Sequence, residues 1–313
     1  MDFNVVGVGE VLWDLLPAGR QMGGAPANFA SHAHALGAAA QVVSRVGNDP
    51  LGREILDRLR GLGLGTNGVT SDPSAPTGTV SVVLAAQGHP TFTIHERVAW
   101  DYLEVGEDML HTAARAAVIC FGTLGQRHPV ARAAVRTVLQ AAPPTALRVF
   151  DINLRQHFYS GALIEESLAV ADVLKLNESE LPRLAELFQL AGDERSQLTE
   201  LARRFRLRAV AYTRGDRGSL LHSQGHWSEH PGIPVTVVDT VGAGDAFTAA
   251  LALGLLAGWS LDSVNQHASE VAAYVCSQHG ATPILPERWR APFLANRSGR
   301  PEVQNETSWP SLV

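Results

Sequence analysis

The chain has 313 residues, 45% of them hydrophobic and 18% charged, and its formal net charge at pH 7 is -6. That hydrophobic content is enough to fill a large buried core, so we expect a globular protein. A net negative charge gives no positive field to attract nucleic acid or an anionic membrane, which argues against both partners and favours a small molecule.

The sequence predicts a cytoplasmic protein. Its start, MDFNVVGVGEVLWD, has neither a cationic leader nor a cleavable apolar stretch, and the apolar run AALALGLLAGW is shorter than the roughly 20 residues that cross a bilayer. Cys120 and Cys276 lie in apolar surroundings without C-x-x-C spacing. We interpret them as buried thiols in a reducing compartment.

Short β-branched runs alternate with longer segments of helical periodicity along most of the chain. This alternation predicts a mainly parallel sheet joined by crossover helices. Ligands of such a sheet bind beyond the carboxyl ends of its strands, so the residues that follow each run are candidates for chemistry. The predicted strands cover residues 5–9, 41–46, 118–122, 148–153, 173–177 and 209–213.

The segment DPLGREILDRLRGLG has the signals of one crossover helix. Asp49 is the predicted N-cap, Pro50 occupies the first helical position, and Gly61 is near the end. This pattern predicts a helix between the second and third apolar runs.

One region interrupts the alternation. TGTVSVVLAA and TFTIHERV are separated only by QGHP, and both have strand composition, which predicts a hairpin. The glycine-rich AGRQMGG at 18–24 is expected to add an extended piece to it. The polar composition of residues 294–313 predicts a loose C-terminal tail.

The stretch DTVGAGDAF precedes a long apolar segment. Gly242, Ala243 and Gly244 can present consecutive backbone N–H groups to an anion at a helix start. The alternative is a tight turn in which Asp245 is an ordinary helix-start acid. The following helix is apolar on nearly all sides, so burial would direct its N-terminus into a cleft, and this favours the functional interpretation.

A second glycine cluster, GGAPANFASHAHALG, begins at Gly23. Its glycines permit close backbone approach, and Asn28 offers a donor and an acceptor to a hydroxylated ligand. Asp14 follows the first strand closely and could accept hydrogen bonds from two sugar hydroxyls. The alternative for Asp14 is a solvated surface acid, and the alternative for the glycine cluster is a simple junction between a loop and a helix.

GGAPANFA and DTVGAGDAF, in this order and at this separation, resemble the two signature regions of the ribokinase-like (pfkB) carbohydrate kinases. The resemblance runs from about residue 4 to residue 290. It implies a doubly wound α/β kinase domain over 1–293, with a small β lid formed by segments at about 10–24 and 78–100. Within the family, GEVLWDLLP and DINLR look most like the fructokinase and 2-keto-3-deoxygluconate kinase branches.

The resemblance implies roles for the signature residues. Asp245 corresponds to the catalytic base for the attacking sugar hydroxyl, and a helix N-terminus favours its anion, so we expect a weak base in the ground state. Gly242, Ala243 and Gly244 correspond to the anion hole around the transferred phosphoryl group. The sugar would be bound by Asp14, Gly24 and Asn28.

Other elements resemble the family's nucleotide and cation sites. NESE matches N-x-x-E, which implies that Asn177 and Glu180 organise Mg²⁺ and phosphates, largely through water. A capping arrangement explains the same pair without a metal, and both interpretations can hold together. TRGDRG brings Thr213, Gly215 and Gly218 to the nucleotide, while Asp239 and Thr240 resemble the backbone that holds a monovalent cation such as K⁺.

Two arginines are candidates for substrate choice. Arg155 in DINLR lies just past a predicted strand, and Arg97 lies on the predicted lid hairpin. A cation at either position suits a keto or carboxylate group, although Arg155 could equally cover the sheet edge. HERVAWDYL replaces the Tyr-Arg pair of many fructokinases, and Ile152 replaces the proline of D-P-N-L-R, so the sugar stays open.

These features predict an ATP-dependent sugar kinase with ATP, Mg²⁺ and a sugar as its partners, and with a ketohexose as the acceptor. Fructokinase is the leading assignment. The alternatives are 2-keto-3-deoxygluconate kinase, another sugar or nucleoside kinase of the family, and a non-catalytic sensor of sugar or nucleotide. Lid strands of the family often pair between subunits, which implies a homodimer.

Overall fold

The computed structural model describes residues 3–17, 19–84 and 90–295. Thirteen strands are present there and form two sheets. In chain order they are β1 (Asn4–Val8), β2 (Leu12–Leu16), β3 (Gly19–Gly23), β4 (Ala39–Gly47), β5 (Val69–Asp72), β6 (Gly78–Leu84), β7 (Pro90–Ile94), β8 (Val118–Phe121), β9 (Leu147–Asp151), β10 (Val173–Asn177), β11 (Ala209–Thr213), β12 (Ser219–Ser223) and β13 (His226–His230).

The larger sheet has nine strands in the order β13-β12-β11-β10-β9-β8-β1-β4-β5. All neighbours from β11 to β5 are parallel, and only β12 and β13 are antiparallel additions at one edge. The six predicted strand runs correspond to β1, β4, β8, β9, β10 and β11. The predicted fold class, a mainly parallel sheet flanked by helices, is therefore confirmed.

Ten α-helices connect and cover this sheet within the described residues. They are α1 (Ala25–Ala35), α2 (Pro50–Gly61), α3 (Glu107–Ala114), α4 (Pro129–Ala141), α5 (Gly161–Leu168), α6 (Leu181–Phe188), α7 (Glu194–Phe205), α8 (Ala243–Leu256), α9 (Leu261–Cys276) and α10 (Glu287–Ala295). The predicted cap of α2 is confirmed, because the Asp49 side chain accepts a hydrogen bond from the Gly52 amide at 2.8 Å.

Alternating side chains of the large sheet contribute to two cores. Val5 of β1 belongs to the core beneath α1, α8 and α9, whereas Val6 and Val8 belong to the core on the opposite face. This period of two is what a sheet covered on both faces requires. α8 is buried along nearly its whole length between α1 and α9, which is why its sequence lacks a polar face.

The predicted hairpin is the β6–β7 pair, which is antiparallel with Ser81 opposite Thr93. Most of the connecting turn, residues 85–89, lies outside the described residues. The extended piece predicted at 18–24 is β3, which pairs with β2, and β2 runs parallel to β6. Together they form a separate four-stranded sheet in the order β3-β2-β6-β7.

The thiols are both free, as expected, but they differ in burial. Cys120 in β8 is buried, whereas Cys276 at the end of α9 is only partly buried, so the prediction of two buried thiols was half right. In the part of the chain that the structure describes, no helix is long and apolar enough to cross a membrane. The tail predicted at 294–313 falls almost entirely outside the described residues.

Candidate active site

The N-terminus of α8 lies against the carboxyl ends of the central strands. Asp151 ends β9, and its Oδ2 accepts a hydrogen bond from the Thr248 hydroxyl of α8 at 2.9 Å. From α1, the side-chain amide of Asn28 donates to Oδ2 of Asp245 at 2.8 Å. The two glycine-rich sequence motifs, 217 positions apart at this contact, are thereby brought together.

α8 begins without a side-chain cap. Its N-cap is Gly242, in the left-handed conformation with φ of 80°, and a methyl group there would lie 2.1 Å from the carbonyl oxygen of Ala281. Only glycine satisfies both conditions. No side chain of the described residues caps this helix, and the Ala243 amide makes only a long hydrogen bond of 3.4 Å to the Thr240 carbonyl, so N–H groups of the first turn can bind an external anion.

Asp245, in the first turn of α8, has a perturbed pKa. Burial raises the pKa of Asp245 to about 7, and the nearby Asp151 carboxylate adds to this, against the lowering effects of Asn28, Lys175 and Arg155. We expected the helix N-terminus to favour the anion and to leave a weak base. That expectation was wrong, because desolvation in the cleft outweighs the helix dipole.

Behind α8 lies a buried ion pair that the sequence analysis missed. Lys175 of β10 donates to Oδ1 of Asp151 at 3.1 Å, and each side chain is only 4% exposed. Burial alone would lower the pKa of Lys175, but Asp151, Glu180 and Asp245 outweigh it and raise that pKa. Lys175 is also the only lysine of the chain, and a lysine inside the apolar run VLKLN was a signal that could have been used.

Both glycines of the GG motif are in close contact with the residues after β1. A methyl group at Gly23 would lie 2.5 Å from Oδ2 of Asp14, and one at Gly24 would lie 2.4 Å from the backbone oxygen of Glu10. The predicted close backbone approach is therefore present. Burial raises the pKa of Asp14 to about 6, while the positive charge of Arg155 opposes this.

Glu10 is a second residue that the sequence analysis missed. Its Oε1 accepts a hydrogen bond from the Ala25 amide at 3.3 Å, and its Oε2 is buried without a partner. Burial raises the pKa of Glu10 to about 7. Its position directly after β1 was the available signal, because residues at the carboxyl end of a strand face the ligand side of a parallel sheet.

Arg155 is exposed and lies near this group of acids. Its guanidinium donates to Oδ1 of Asn153 at 3.2 Å, and its charge lowers the pKa of Glu10, Asp14 and Asp245. Asn153, with φ of 42°, leaves its Nδ2 buried and without a partner. The cleft therefore combines three acids of raised pKa, one cation and unused amide groups.

Arg97 lies elsewhere. We expected it on the lid hairpin, but β7 ends at Ile94, and Arg97 follows in the left-handed conformation with φ of 59°. It lines a cavity of about 380 Å³ that includes neither Asp14 nor Asp245 among its lining residues. Arg97 thus lies beyond the end of the hairpin strand on which it was expected.

The side chains of Asn177 and Glu180 each accept a hydrogen bond from the backbone amide of the other residue. Oδ1 of Asn177 accepts from the amides of Ser179 and Glu180, while Oε2 of Glu180 accepts from the Asn177 amide at 2.8 Å. Oε1 of Glu180 accepts from the Leu154 amide at 3.0 Å, so the carboxylate also fixes the loop after β9. The reciprocal bonds have the pattern of a capping box, but they close the turn at residues 178–180, and α6 itself begins after Glu180 as its N-cap, without a side-chain cap.

The remaining predicted residues lie at the end of β11, in the turn that follows it, and in the loop that precedes α8. Thr213 ends β11, and Gly215 and Gly218 have φ of 60° and 79° in the turn that follows. Asp239 accepts hydrogen bonds from the Val241 amide at 3.0 Å and from the Gly280 amide at 3.1 Å, and Thr240 immediately precedes Val241. Within the described residues, no cluster of three or more His, Cys, Asp or Glu side chains could hold a metal directly.

Comparison with known proteins identifies the family. Residues 18–288 match the pfkB family of carbohydrate kinases. A fructokinase of Klebsiella pneumoniae is 31% identical over 296 residues, which cover 89% of this chain and 95% of that protein.

Two solved structures are similar in both sequence and fold. A sugar kinase of Pyrococcus horikoshii in complex with ATP is 28% identical, with a TM-score of 0.75 over 89% of this chain and 94% of that one. A fructokinase of Vibrio cholerae O395 with fructose, ADP and calcium bound is 25% identical, with a TM-score of 0.75 over 93% and 99%. The chain therefore belongs to the pfkB family of carbohydrate kinases and is an ATP-dependent phosphotransferase.

Proposed function

We propose that this kinase transfers the γ-phosphoryl group of ATP to a primary hydroxyl of a ketohexose, with fructose as the leading substrate. The observation that carries the proposal is Asp245, a carboxyl of raised pKa beside the uncapped start of α8 and hydrogen-bonded to Asn28. This arrangement supplies a proton acceptor and a binding site for an anion within one helical turn.

Asp245 acts as the catalytic base. A pKa of about 7 lets the carboxylate accept a proton near neutral pH more readily than an ordinary aspartate would. Asn28 holds Oδ2 of Asp245 and leaves Oδ1 as the oxygen that meets the sugar hydroxyl. The hydroxyl proton is transferred to Asp245 as the hydroxyl oxygen attacks the phosphorus.

Gly242, Ala243 and Gly244 form the anion hole. Charge spreads over the oxygens of the transferred phosphoryl group in a loose transition state, and fixed backbone N–H groups stabilise it without reorganisation. Lys175 supports the hole from behind, since a methyl group at Gly244 would lie only 3.1 Å from its Nζ. Asp151, paired with Lys175, accepts a hydrogen bond from the Thr248 hydroxyl of α8 and thereby fixes the orientation of this helix.

The sugar is bound by Asp14, Gly24 and Asn28, with Arg155 at the rim. The unpartnered buried atoms Oδ1 of Asn28 and Nδ2 of Asn153 are an acceptor and a donor that hydroxyl groups of a sugar would satisfy. Fructose is favoured by the similarity to the Klebsiella fructokinase and to the Vibrio fructokinase that contains fructose. The position of Arg97 makes it the weakest of the predicted sugar contacts.

The nucleotide lies along Thr213, Gly215 and Gly218, with Asn177 and Glu180 facing its phosphates. ATP supplies the phosphoryl group, and Mg²⁺ neutralises charge on the phosphates. A magnesium ion that stays largely hydrated needs only one or two protein oxygens, so the residues present fit it. Both Glu180 oxygens already accept backbone N–H groups, which favours contact through water.

Three further features belong to the proposal. The loop of Asp239 and Thr240, joined to Gly280 by a hydrogen bond, holds a monovalent cation such as K⁺. The four-stranded sheet closes over the sugar as a lid and excludes water from the transferred phosphoryl group. Leu15 and Phe92, large apolar side chains exposed on this sheet, suit a homodimer formed through the lid.

A 2-keto-3-deoxygluconate kinase is the second candidate. The exposed Arg155 beside Asp14 could bind the carboxylate of such a substrate as well as a keto group. A sensor without turnover is disfavoured, because a sensor has no need to keep Asp245 with a raised pKa at the anion site.

Coupled ADP release tests the proposal, with Mg-ATP against fructose, 2-keto-3-deoxygluconate, ribose, glucose and adenosine, each with and without K⁺. Turnover on fructose supports the leading assignment, and turnover on the keto acid transfers it to the second candidate. If the keto acid is the substrate, Arg155→Gln should selectively raise the KM for the keto acid. ATP binding without turnover on any acceptor would contradict both.

A further inference from the structure

The cavity of about 380 Å³ that contains Arg97 has no role in the phosphoryl transfer described above. It lies between the loop after β7, the start of α4 and the start of α5. Its volume is within the range of small-molecule sites. The lining residues are Glu96, Arg97, Asp101, Tyr102, Arg127, His128, Arg132, His157, Phe158, Tyr159, Ser160 and Leu163.

This cavity has one more arginine than carboxylates among its charged side chains. It is lined by three arginines and two histidines, against two carboxylates. The Asp101 carboxylate is occupied by Arg127, whose Nε and Nη2 donate to its two oxygens at 2.7 and 2.8 Å. Among the described residues, Arg97 and Arg132 have no acidic partner, and Arg132 contacts only the backbone oxygen of Gln126 through Nε.

The N-termini of two helices border this cavity. His128 is the N-cap of α4, and Ser160 is the N-cap of α5. The N-terminal ends of both helices therefore direct their positive dipole ends towards the cavity and add to the field of the arginines. An anion placed there would be favoured by all of these groups together.

Arg127 provides an independent sign of a missing acceptor. Its side chain is only 5% exposed, and its Nη1 is buried without a hydrogen-bond partner. The rings of Trp100 and Phe158 lie 4.0 and 4.6 Å from the guanidinium carbon, but ring faces are weak acceptors. An unpaired buried N–H of a cation is costly, and Arg127, a residue that lines the cavity, therefore retains one unused donor.

The rest of the lining suits a polar, hydroxylated body. Tyr102, Tyr159 and Ser160 carry hydroxyl groups, and Glu96 has no partner among the described residues. A ligand with hydroxyl groups could donate to Glu96 while its anionic end binds the arginines. We propose that this cavity is a second ligand site, distinct from the cleft of Asp245, and that it binds a small hydroxylated phosphomonoester.

One residue that lines this cavity, Arg127, contacts the end of the four-stranded sheet. Arg127 also donates to the backbone oxygen of His95, directly after β7, at 2.6 Å. A ligand in this cavity would therefore lie beside the contact that joins the end of β7 to the body of the protein.

Isothermal titration calorimetry of the full chain with glucose 6-phosphate, without ATP, tests the proposal. Arg132→Gln should weaken binding about tenfold or more, as the loss of a hydrogen bond to a charged group implies. Arg136→Gln is the matched control, because Arg136 lies one turn later on α4, pairs with Glu166 and does not line the cavity. It should bind as the wild type does.

Further titrations separate this site from the cleft and identify the ligand class. Asp14→Ala, a change in the proposed sugar cleft, should leave the affinity unchanged, and glucose should not compete with the phosphomonoester. The absence of binding, wild-type affinity in Arg132→Gln, or loss of binding in Asp14→Ala would each overturn the second site. Equal affinity for inorganic phosphate would overturn the assignment to a hydroxylated ligand. These binding results are independent of whether fructose is the kinase substrate.

Discussion

The starts of α2 and α8 each carry an aspartate, at the N-cap of α2 and in the first turn of α8, and the pKa values of the two carboxyls are shifted in opposite directions. At α2, Asp49 is the N-cap and accepts hydrogen bonds from the amides of Gly52 and Thr77 and from the Thr77 hydroxyl. Burial alone would raise the pKa of Asp49, but these bonds outweigh it and leave the pKa below its usual range.

At α8 the cap is a bare glycine, and Asp245 accepts a single hydrogen bond from outside its own helix, at Asn28. Burial then dominates and raises the pKa of Asp245 to about 7. The comparison shows that a helix start by itself does not determine the chemistry of its aspartate. Asp49 is only partly buried and receives several hydrogen bonds, whereas the Asp245 carboxyl lies deeper in the protein and receives one, and these two differences together separate a structural cap from a candidate base.

The strongest test of this difference exchanges each aspartate for asparagine. Asp245→Asn should keep ATP binding and lower turnover on the order of 10²-fold or more, because the positioned proton acceptor is lost. Asp49→Asn should retain near-normal turnover. Coupled ADP release measures both. Near-normal turnover in Asp245→Asn would remove this residue from the mechanism.

The requirement for glycine at the N-cap of α8 can be tested by measuring the stability of a variant. Gly242→Ala should lower the free energy of unfolding by about 2 to 4 kcal/mol, since the new methyl group is strained at φ of 80° and overlaps the Ala281 carbonyl. Gly61→Ala, at an open position at the end of α2, is the control and should be neutral or slightly stabilising. Urea denaturation compares the two. Equal effects would mean that the α8 start has no special backbone requirement.

The pH dependence of stability should differ between the two aspartates. Because the folded protein holds the Asp245 proton more tightly than the unfolded chain does, rising pH between about 4 and 7 lowers the free energy of unfolding. Asp245→Asn should therefore be more stable than the wild type at pH 8, by about 2 kcal/mol, and the difference should vanish near pH 4.

Asp49 should show the reverse. Its lowered pKa makes the anion stabilising, so Asp49→Asn should lose stability at neutral pH, and the loss should shrink in acid as the carboxyl becomes protonated. Thermal unfolding across this pH range checks both variants. A stability gain of Asp245→Asn that is the same at pH 4 and pH 8 would contradict the burial of a charge at Asp245.

The smallest expected effect concerns the pH profile of catalysis. In the wild type, kcat/KM should rise with pH through about 7 as Asp245 loses its proton. The hydrogen bond from Asn28 lowers this pKa, so Asn28→Ala should move the midpoint upwards as well as weakening sugar binding. A midpoint that stays in place would assign the ionisation to another group, such as Glu10.

Local patterns predicted the parts of the structure that depend on near neighbours. The runs at 173–177 and 209–213 are the strands β10 and β11 with the same bounds, because period and β-branched composition express burial on both faces of a sheet. The Asp49 cap was predictable for the same reason, since its principal partner lies three residues away. The family followed from two short motifs taken together.

What the sequence missed depends on contacts between distant segments. Thr248 meets Asp151 across 97 positions, and the Lys175–Asp151 pair exists only because β9 and β10 are neighbours in the sheet. The placement of Arg97 depends on a left-handed turn after β7, a conformation that composition does not reveal. Glu10 gains its raised pKa from burial by the folded chain.

The sequence by itself therefore determined the layered α/β architecture, the helix caps and the identity of the two glycine-rich motifs, because these depend on periodicity and on residues close in the chain. Only the tertiary structure decided that the pKa of the Asp245 carboxyl is raised. Desolvation and the field of Asp151, Lys175 and Arg155 set that value, and both arise when segments far apart in sequence close around one cleft.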